Sequence, residues 1–183
     1  MTYPISIKGL KRDLPLCRVS DELYIGAFVI FGDVALTVHC AKELLKLAPE
    51  YDYLIAPEAK SIPLIYEMAR LSEAPKYFVA RKGQKLYMSG VFEVSVRSIT
   101  TMSVQKLCID ASDAALMKGK RILIVDDVIS TGESLHAMEE LITRAGGVIA
   151  GKMAILAEGD AARREDIIFL EKLPLFNADG SEK

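Results

Sequence analysis

Apolar residues recur along this chain with two periods, one near 3.6 and one near 2, and the two alternate. Asp33 stands where it can cap a helix running to about Leu47. Val34, Val38, Ala41 and Leu45 mark one apolar stripe of that helix, and Leu36, Cys40, Leu44 and Leu47 mark the neighbouring one. Pro49 follows its end. Tyr51 to Ala56 then reads as a strand, Pro57 to Ser61 as a turn, and Ile62 to Leu71 as a helix with Pro63 in its first turn. Lys76 to Ala80 reads as the next strand, which completes a βαβ unit. Ala111 to Lys118 is a short helix stopped by Gly119. Ile122 to Val125 is an unbroken apolar run, the mark of a central parallel strand buried on both faces. Gly132 to Arg144 forms the following helix, ended by Gly146-Gly147, and Val148 to Ala157 forms another strand. Leu173 to Phe176 is a last short strand or docking segment, and Asp179 to Lys183 a frayed tail. Residues 1–24, with Pro4 and Pro15, show no firm element.

One stretch departs from this alternation. Phe92, Val94 and Val96 alternate with Glu93, Ser95 and Arg97, as in a half-buried strand with one wet face. Ser98 to Met102 is turn-like, and Ser103 to Ile109 can return as a second strand. Residues 83–110 therefore read as an antiparallel arm, whose polarity suggests a flexible lid rather than core. The remaining elements predict an α/β fold: an open, mostly parallel central sheet with helices on both faces. In such sheets ligands bind beyond the carboxyl ends of the strands, so the loops 57–61 and 126–134 should face one crevice.

The chain length of 183 residues suits a single domain able to bury a substantial core. A net charge of −2 gives no global field toward nucleic acid or anionic lipid, and no apolar run approaches membrane-spanning length. The first residues lack a signal-peptide pattern, so a cytoplasmic protein with no nucleic-acid or membrane partner is expected. Cys17, Cys40 and Cys108 have no close spacing, which argues against a disulfide framework or a zinc site. His39 and His136 fall in separate helices, and a Cys–His nucleophilic pair is the less favoured reading of them.

The candidate chemistry lies after the buried strand. Asp126 and Asp127 place two adjacent carboxylates at its end, and Ser130-Thr131-Gly132 turns into a helix. Glycine permits close backbone approach, and the free N–H groups and dipole of a helix start favour a phosphate. The hydroxyls of Ser130, Thr131 and Ser134 add donors. The aspartates can accept hydrogen bonds from a vicinal diol, so the loop suits a ribose 5-phosphate. Neither Gly-x-x-x-x-Gly-Lys-Ser/Thr nor Gly-x-Gly-x-x-Gly occurs in the chain.

Ile122-Leu123-Ile124-Val125-Asp126-Asp127-Val128-Ile129-Ser130-Thr131-Gly132 resembles the 5-phosphoribosyl-1-pyrophosphate (PRPP) motif of type I phosphoribosyltransferases, and the likeness covers most of the chain. It implies PRPP binding by Asp126, Asp127, Val128, Ile129, Ser130, Thr131, Gly132, Glu133 and Ser134, with Asp126 and Asp127 as catalytic residues. Ala56 to Pro63 resembles the pyrophosphate loop of the purine enzymes, and Arg81 to Lys85 their basic segment. Ala59, Lys60, Ser61, Arg81, Lys82 and Lys85 would hold the polyanionic leaving group. Phe31-Gly32-Asp33-Val34 resembles the Phe-Arg-Asp-Ile segment of adenine phosphoribosyltransferases, which implies base contacts by Ile30 and Phe31. A small hood is implied over 1–32 and 170–178 within a single domain spanning 1–183, with Leu173 to Phe176 closing it. Gly32 replaces the family's arginine, and the arm lacks the glutamate of the adenine enzymes. Residues 98–106 look closer to xanthine enzymes and purine-operon repressors, in which case Arg97 or a lid hydroxyl would face an oxo-purine.

The resemblance implies transfer of the 5-phosphoribosyl group from PRPP to a purine base, with Mg2+ bound mainly through PRPP and water, and a homodimer. The alternatives are a PRPP-sensing regulator without catalysis, or the same transfer to another base such as orotate.

Overall fold

The computed structural model describes residues 1–97 and 104–183. A parallel five-stranded sheet forms its centre, in the order β10 (Ile168–Leu173), β9 (Val148–Glu158), β8 (Arg121–Ile129), β4 (Tyr53–Pro57) and β5 (Tyr77–Ala80). The pleat assigns its two faces. On β8, Leu123 and Val125 enter a core shared with α1 (Val34–Leu45) and α2 (Ile62–Leu71). Ile122 and Ile124 enter the opposite core, with α3 (Ala111–Met117) and α4 (Glu133–Arg144). Both faces are covered, which explains why β8 reads as an unbroken apolar run.

Asp33 caps α1 by accepting from the Leu36 N–H at 2.9 Å, as expected, and the helix ends at Leu45. Of its two candidate stripes the one bearing Leu36, Cys40 and Leu44 is buried, joined by Ala41, while Val34 stands in solvent. The strand order reverses direction between β4 and β8. The chain passes from β4 outward to β5, then returns to the other side of β4 and continues through β9 to β10. The loops after β4 and β8 flank this reversal, where a crevice opens.

Residues 1–24, where no element was expected, carry real structure. β1 (Thr2–Ile7) and β2 (Leu10–Arg18) form a hairpin, and β3 (Tyr24–Gly26) with β11 (Leu175–Phe176) completes a four-stranded antiparallel sheet. Its turn is the pair Lys8-Gly9, both at positive φ (48° and 91°), a geometry that matches the twist of paired strands. Pro4 sits on β1, an edge strand, where its missing N–H costs no ladder bond. β10 is a second addition, since Ile168–Leu173 was not expected to be a strand.

The antiparallel arm is present as β6 (Val91–Arg97) paired with β7 (Val104–Asp110). Its reading as lid rather than core is corrected in part. Val94, Leu107 and Ile109 are buried and pack with Leu135, Met138 and Ile142 of α4. Among the described residues no helix is long and apolar enough to cross a membrane.

Candidate active site

β8 runs from a fully apolar stretch straight into two acids. Ile122 to Val125 are buried, and so are Asp126 and Asp127, at 9% and 4% exposure. A buried carboxylate needs partners, and they come from α2. The Ser61 hydroxyl donates to Asp126 Oδ1 at 2.6 Å and accepts the backbone N–H of Asp127 at 3.0 Å. That N–H also reaches Asp126 Oδ1 at 2.9 Å. Ser61 occupies the N-cap position of α2, where a serine ordinarily bonds its own helix; here its side chain makes no cap bond. The hydroxyl is spent on the aspartates instead. Asp127 Oδ2 accepts no aligned hydrogen bond and has the Lys60 ammonium at 2.8 Å as its counter-charge.

These surroundings treat Asp126 unusually. Burial, and then the neighbouring charge of Asp127, push its carboxyl up to about 7, while the Ser61 hydroxyl pulls the other way. A carboxyl poised there binds a proton or a hydroxyl donor readily.

Past β8, Ser130 to Gly132 turn the chain into α4. Gly132 stands at φ +82°, a conformation that disfavours side chains, and the helix begins at Glu133. The first N–H groups of α4 have no intrahelical partner and carry the positive end of its dipole. Val128, Ile129, Ser130, Thr131, Gly132 and Ser134 line one cleft of about 420 Å³ together with the aspartates, and Glu133 begins the helix beside it.

The opposite wall is basic. Ala59, Lys60, Ser61 and Lys82 line the same cleft. Arg81 is directed elsewhere: its Nη1 donates to Glu58 at 3.0 Å, and its guanidinium lies 5.9 Å from the centre of the Tyr87 ring. Glu58 also accepts the Lys82 backbone N–H at 2.8 Å. Burial raises the Glu58 carboxyl, but the Lys82 N–H and Arg81 outweigh it and hold the group below its ordinary range. The Glu58–Ala59 peptide is cis. Lys85 is not among the residues lining the cleft.

The expected hood residues are not among those lining this cleft. Ile30 is fully buried, and Phe31 is half exposed. Leu175 and Phe176 pair with β3, and the Phe176 ring lies 4.8 Å from that of Tyr3. The base-facing roles considered for the Arg97 side chain and the lid hydroxyls fall outside the described residues, as do residues 98–103.

Two contacts of the loops around the cleft escape the sequence. Glu58 has no role that spacing suggests, yet β4 and β5 are adjacent and parallel, so their carboxyl ends bring an acid beside a basic pair. That adjacency of charge was the available signal. Arg164, whose guanidinium abuts Gly132, had none.

Comparison with known proteins agrees with this geometry. Residues 36–174 match the phosphoribosyl transferase domain family. An adenine phosphoribosyltransferase of Streptococcus thermophilus is 32% identical over 136 residues, covering 71% of this chain and 73% of that protein. A hypoxanthine/guanine phosphoribosyltransferase of Methanocella paludicola is 27% identical over 133 residues, covering 73% of this chain and 65% of that one. The adenine phosphoribosyltransferase structure from Thermoanaerobacter pseudethanolicus superposes with a TM-score of 0.65 at 20% identity, covering 94% and 95% of the two chains. The fold, the acid pair at the switch point and the family match converge: the chain belongs to the phosphoribosyl transferase domain family.

Proposed function

We propose that this protein transfers the 5-phosphoribosyl group of PRPP to a purine base, forming a nucleoside 5′-monophosphate and releasing pyrophosphate. The observation that carries the reading is the juxtaposition in one cleft of a buried aspartate pair, a glycine turn opening a helix, and two lysines on the facing wall. Those three features match the diol, the 5-phosphate and the pyrophosphate of one substrate. Purine specificity is supported by the named activities of the relatives, which include both adenine and hypoxanthine/guanine enzymes.

In this reading Asp126 and Asp127 accept hydrogen bonds from the ribose hydroxyls and place negative potential beside the ribosyl carbon. The bond from that carbon to pyrophosphate breaks and positive charge develops there, which fixed carboxylates stabilise. The base nitrogen attacks the same carbon, so one bond replaces another. Backbone N–H groups and hydroxyls of 130–134 fix the 5-phosphate. Lys60 and Lys82 neutralise the departing pyrophosphate, and Lys60 exchanges its contact with Asp127 for that anion. Ser61 holds the aspartates in register. Phe31, the exposed member of the pair Ile30-Phe31, would offer its ring to the base, and Arg81 and Lys85 would form the outer basic wall. β6 and β7 would exclude water over the cleft.

No group of three or more His, Cys, Asp or Glu side chains among the described residues is placed to hold a metal. The donor set fits Mg2+ bound chiefly by substrate oxygens and water, with the acid pair nearby. When bound it would neutralise the pyrophosphate oxygens. A homodimer is supported by Leu86 and Tyr87, large apolar side chains left bare on the segment that carries Arg81 and Lys82.

The test is incubation with PRPP, Mg2+ and adenine, hypoxanthine, guanine, xanthine or orotate in turn, with nucleotide formation followed chromatographically. Conversion of a purine is expected and names the acceptor. Conversion of orotate alone, or PRPP binding with no conversion of any base, would overturn the reading.

A further inference from the structure

The segment Ser130-Thr131-Gly132-Glu133-Ser134 contains no lysine or arginine, and Asp126 and Asp127 stand just before it. A phosphate monoester carries about −1.5 to −2 charges near neutral pH. The segment's own backbone N–H groups and hydroxyls, none of them carrying a full charge, would have to offset it beside three carboxylates. An arginine from another part of the chain stands beside Gly132, although it is not among the residues that line the cleft. Arg164 follows the short 3-10 turn Gly159–Arg163, and its Nη1 comes within 2.7 Å of the point a Cβ on Gly132 would occupy.

The guanidinium is held in place. Its Nε donates to Asp166 Oδ1 at 2.9 Å and its Nη2 to Asp166 Oδ2 at 2.7 Å, a two-pronged contact that fixes its plane. Asp166 in turn receives Lys152 Nζ at 2.5 Å, and Lys152 reaches Glu139 on α4 at 2.7 Å. The network therefore ties Arg164 to the same helix whose start forms the phosphate loop. Hydrogen bonds from Arg164 and then Lys152 hold the Asp166 carboxyl far below its ordinary range, so the clamp stays charged at any working pH.

We propose that Arg164 is the fixed counter-charge of the phosphate loop, a positioning residue that sets affinity for the phosphate end of the substrate through its contact with Gly132. The inference rests on the reading of the cleft as a PRPP site. It separates the two anionic ends of that substrate: the lysines at 60 and 82 serve pyrophosphate, and Arg164 serves the 5-phosphate. It also gives Gly132 a second reason to be glycine, since a side chain there would displace the guanidinium.

The experiment is calorimetric titration of ribose 5-phosphate and, separately, of pyrophosphate with Mg2+, into the full-length protein and its Arg164→Gln, Arg164→Lys and Asp166→Asn variants. Arg164→Gln should weaken ribose 5-phosphate about fivefold, the scale of a partly exposed charge contact, and leave pyrophosphate unchanged. Arg164→Lys should recover most of that loss, and Asp166→Asn should weaken ribose 5-phosphate by less than Arg164→Gln does. The difference between wild type and Arg164→Gln should shrink in about 0.5 M salt, where screening is short-ranged. Equal weakening of both ligands, no weakening of either, or a folded Arg164→Lys as impaired as Arg164→Gln would overturn the proposal and leave Arg164 a structural brace. Wild-type protein that binds neither ligand would overturn the reading of the site itself.

Discussion

Replacing Ser61 with alanine removes one oxygen and changes two buried acids. The hydroxyl donates to Asp126 Oδ1 at 2.6 Å and accepts the Asp127 N–H at 3.0 Å, and it makes no bond to its own helix. The loss is therefore not that of a helix cap. A hydrogen bond to a buried charged group contributes about 1.5–3 kcal/mol, so a cost of about 2 kcal/mol is expected at pH 8. For a chain of this size that corresponds to a fall in Tm of about 5 °C. The pH dependence has a defined sign. The folded pKa of Asp126 lies above its unfolded value, so its favourable contribution is complete below the ordinary aspartate range and is lost as pH rises toward about 7. Ser61 opposes that rise, so its removal raises the folded pKa further and widens the loss upward in pH. The destabilisation by Ser61→Ala should then be smaller at pH 5 than at pH 8, by about 1 kcal/mol for each pH unit of added shift. Chemical denaturation at the two pH values measures it. A variant as stable as wild type, or equally destabilised at both pH values, would refute the view that Ser61 sustains the ionised aspartate pair.

Further expectations follow from the same geometry. Asp127→Asn should lower turnover about a hundredfold in the nucleotide-forming assay, as for loss of one preorganised electrostatic contact, yet melt no lower than wild type, because it removes the charge that repels Asp126. Gly132→Ala should cost about 1–2 kcal/mol by thermal denaturation, from the φ of +82° alone, and should also weaken ribose 5-phosphate by displacing Arg164. Glu58→Gln should loosen Arg81 and the Lys82 backbone, and pyrophosphate affinity by calorimetry should fall several-fold while ribose 5-phosphate affinity holds. Leu86→Asp should shift a dimer toward monomer in sedimentation, since Leu86 is fully bare on the isolated chain.

The parts of this fold that sequence exposes are those whose cause is local. The run Ile122 to Val125, the acids after it and the glycine turn fall within one short stretch, so the strand, the loop after it and the start of α4 can be read from the twelve residues 122–133. The βαβ unit around α2 is legible for the same reason, because Pro63 and the flanking periods mark it directly. The four-stranded antiparallel sheet is not. Its turn is Lys8-Gly9 rather than a stronger hairpin pair, prolines sit on both long strands, and β3 has only three residues. The arm shows a different limit. Its alternation reveals one dry face, but not that Leu107 and Ile109 meet α4, because that depends on how the chain returns.

The site divides along the same line. The contacts that assemble it are set by strand order rather than by spacing: Ser61 meets Asp126 across 65 positions and Glu58 meets Lys82 across 24. Sequence could propose that residues 59–61 face the acid pair, but it could not show that Ser61 abandons its helix to do so. It could not find Arg164, which lies 32 positions beyond Gly132 on the far side of α4 and β9.

The central claim is that one cleft at the β4/β8 reversal holds all three parts of PRPP, and a crystal structure with PRPP and Mg2+ bound tests it most directly. The account predicts the 5-phosphate on the backbone N–H groups of 130–134, the ribose hydroxyls on Asp126 and Asp127, and the pyrophosphate between Lys60 and Lys82. PRPP held elsewhere on the molecule, or in this cleft with its pyrophosphate on the 130–134 loop, would contradict it.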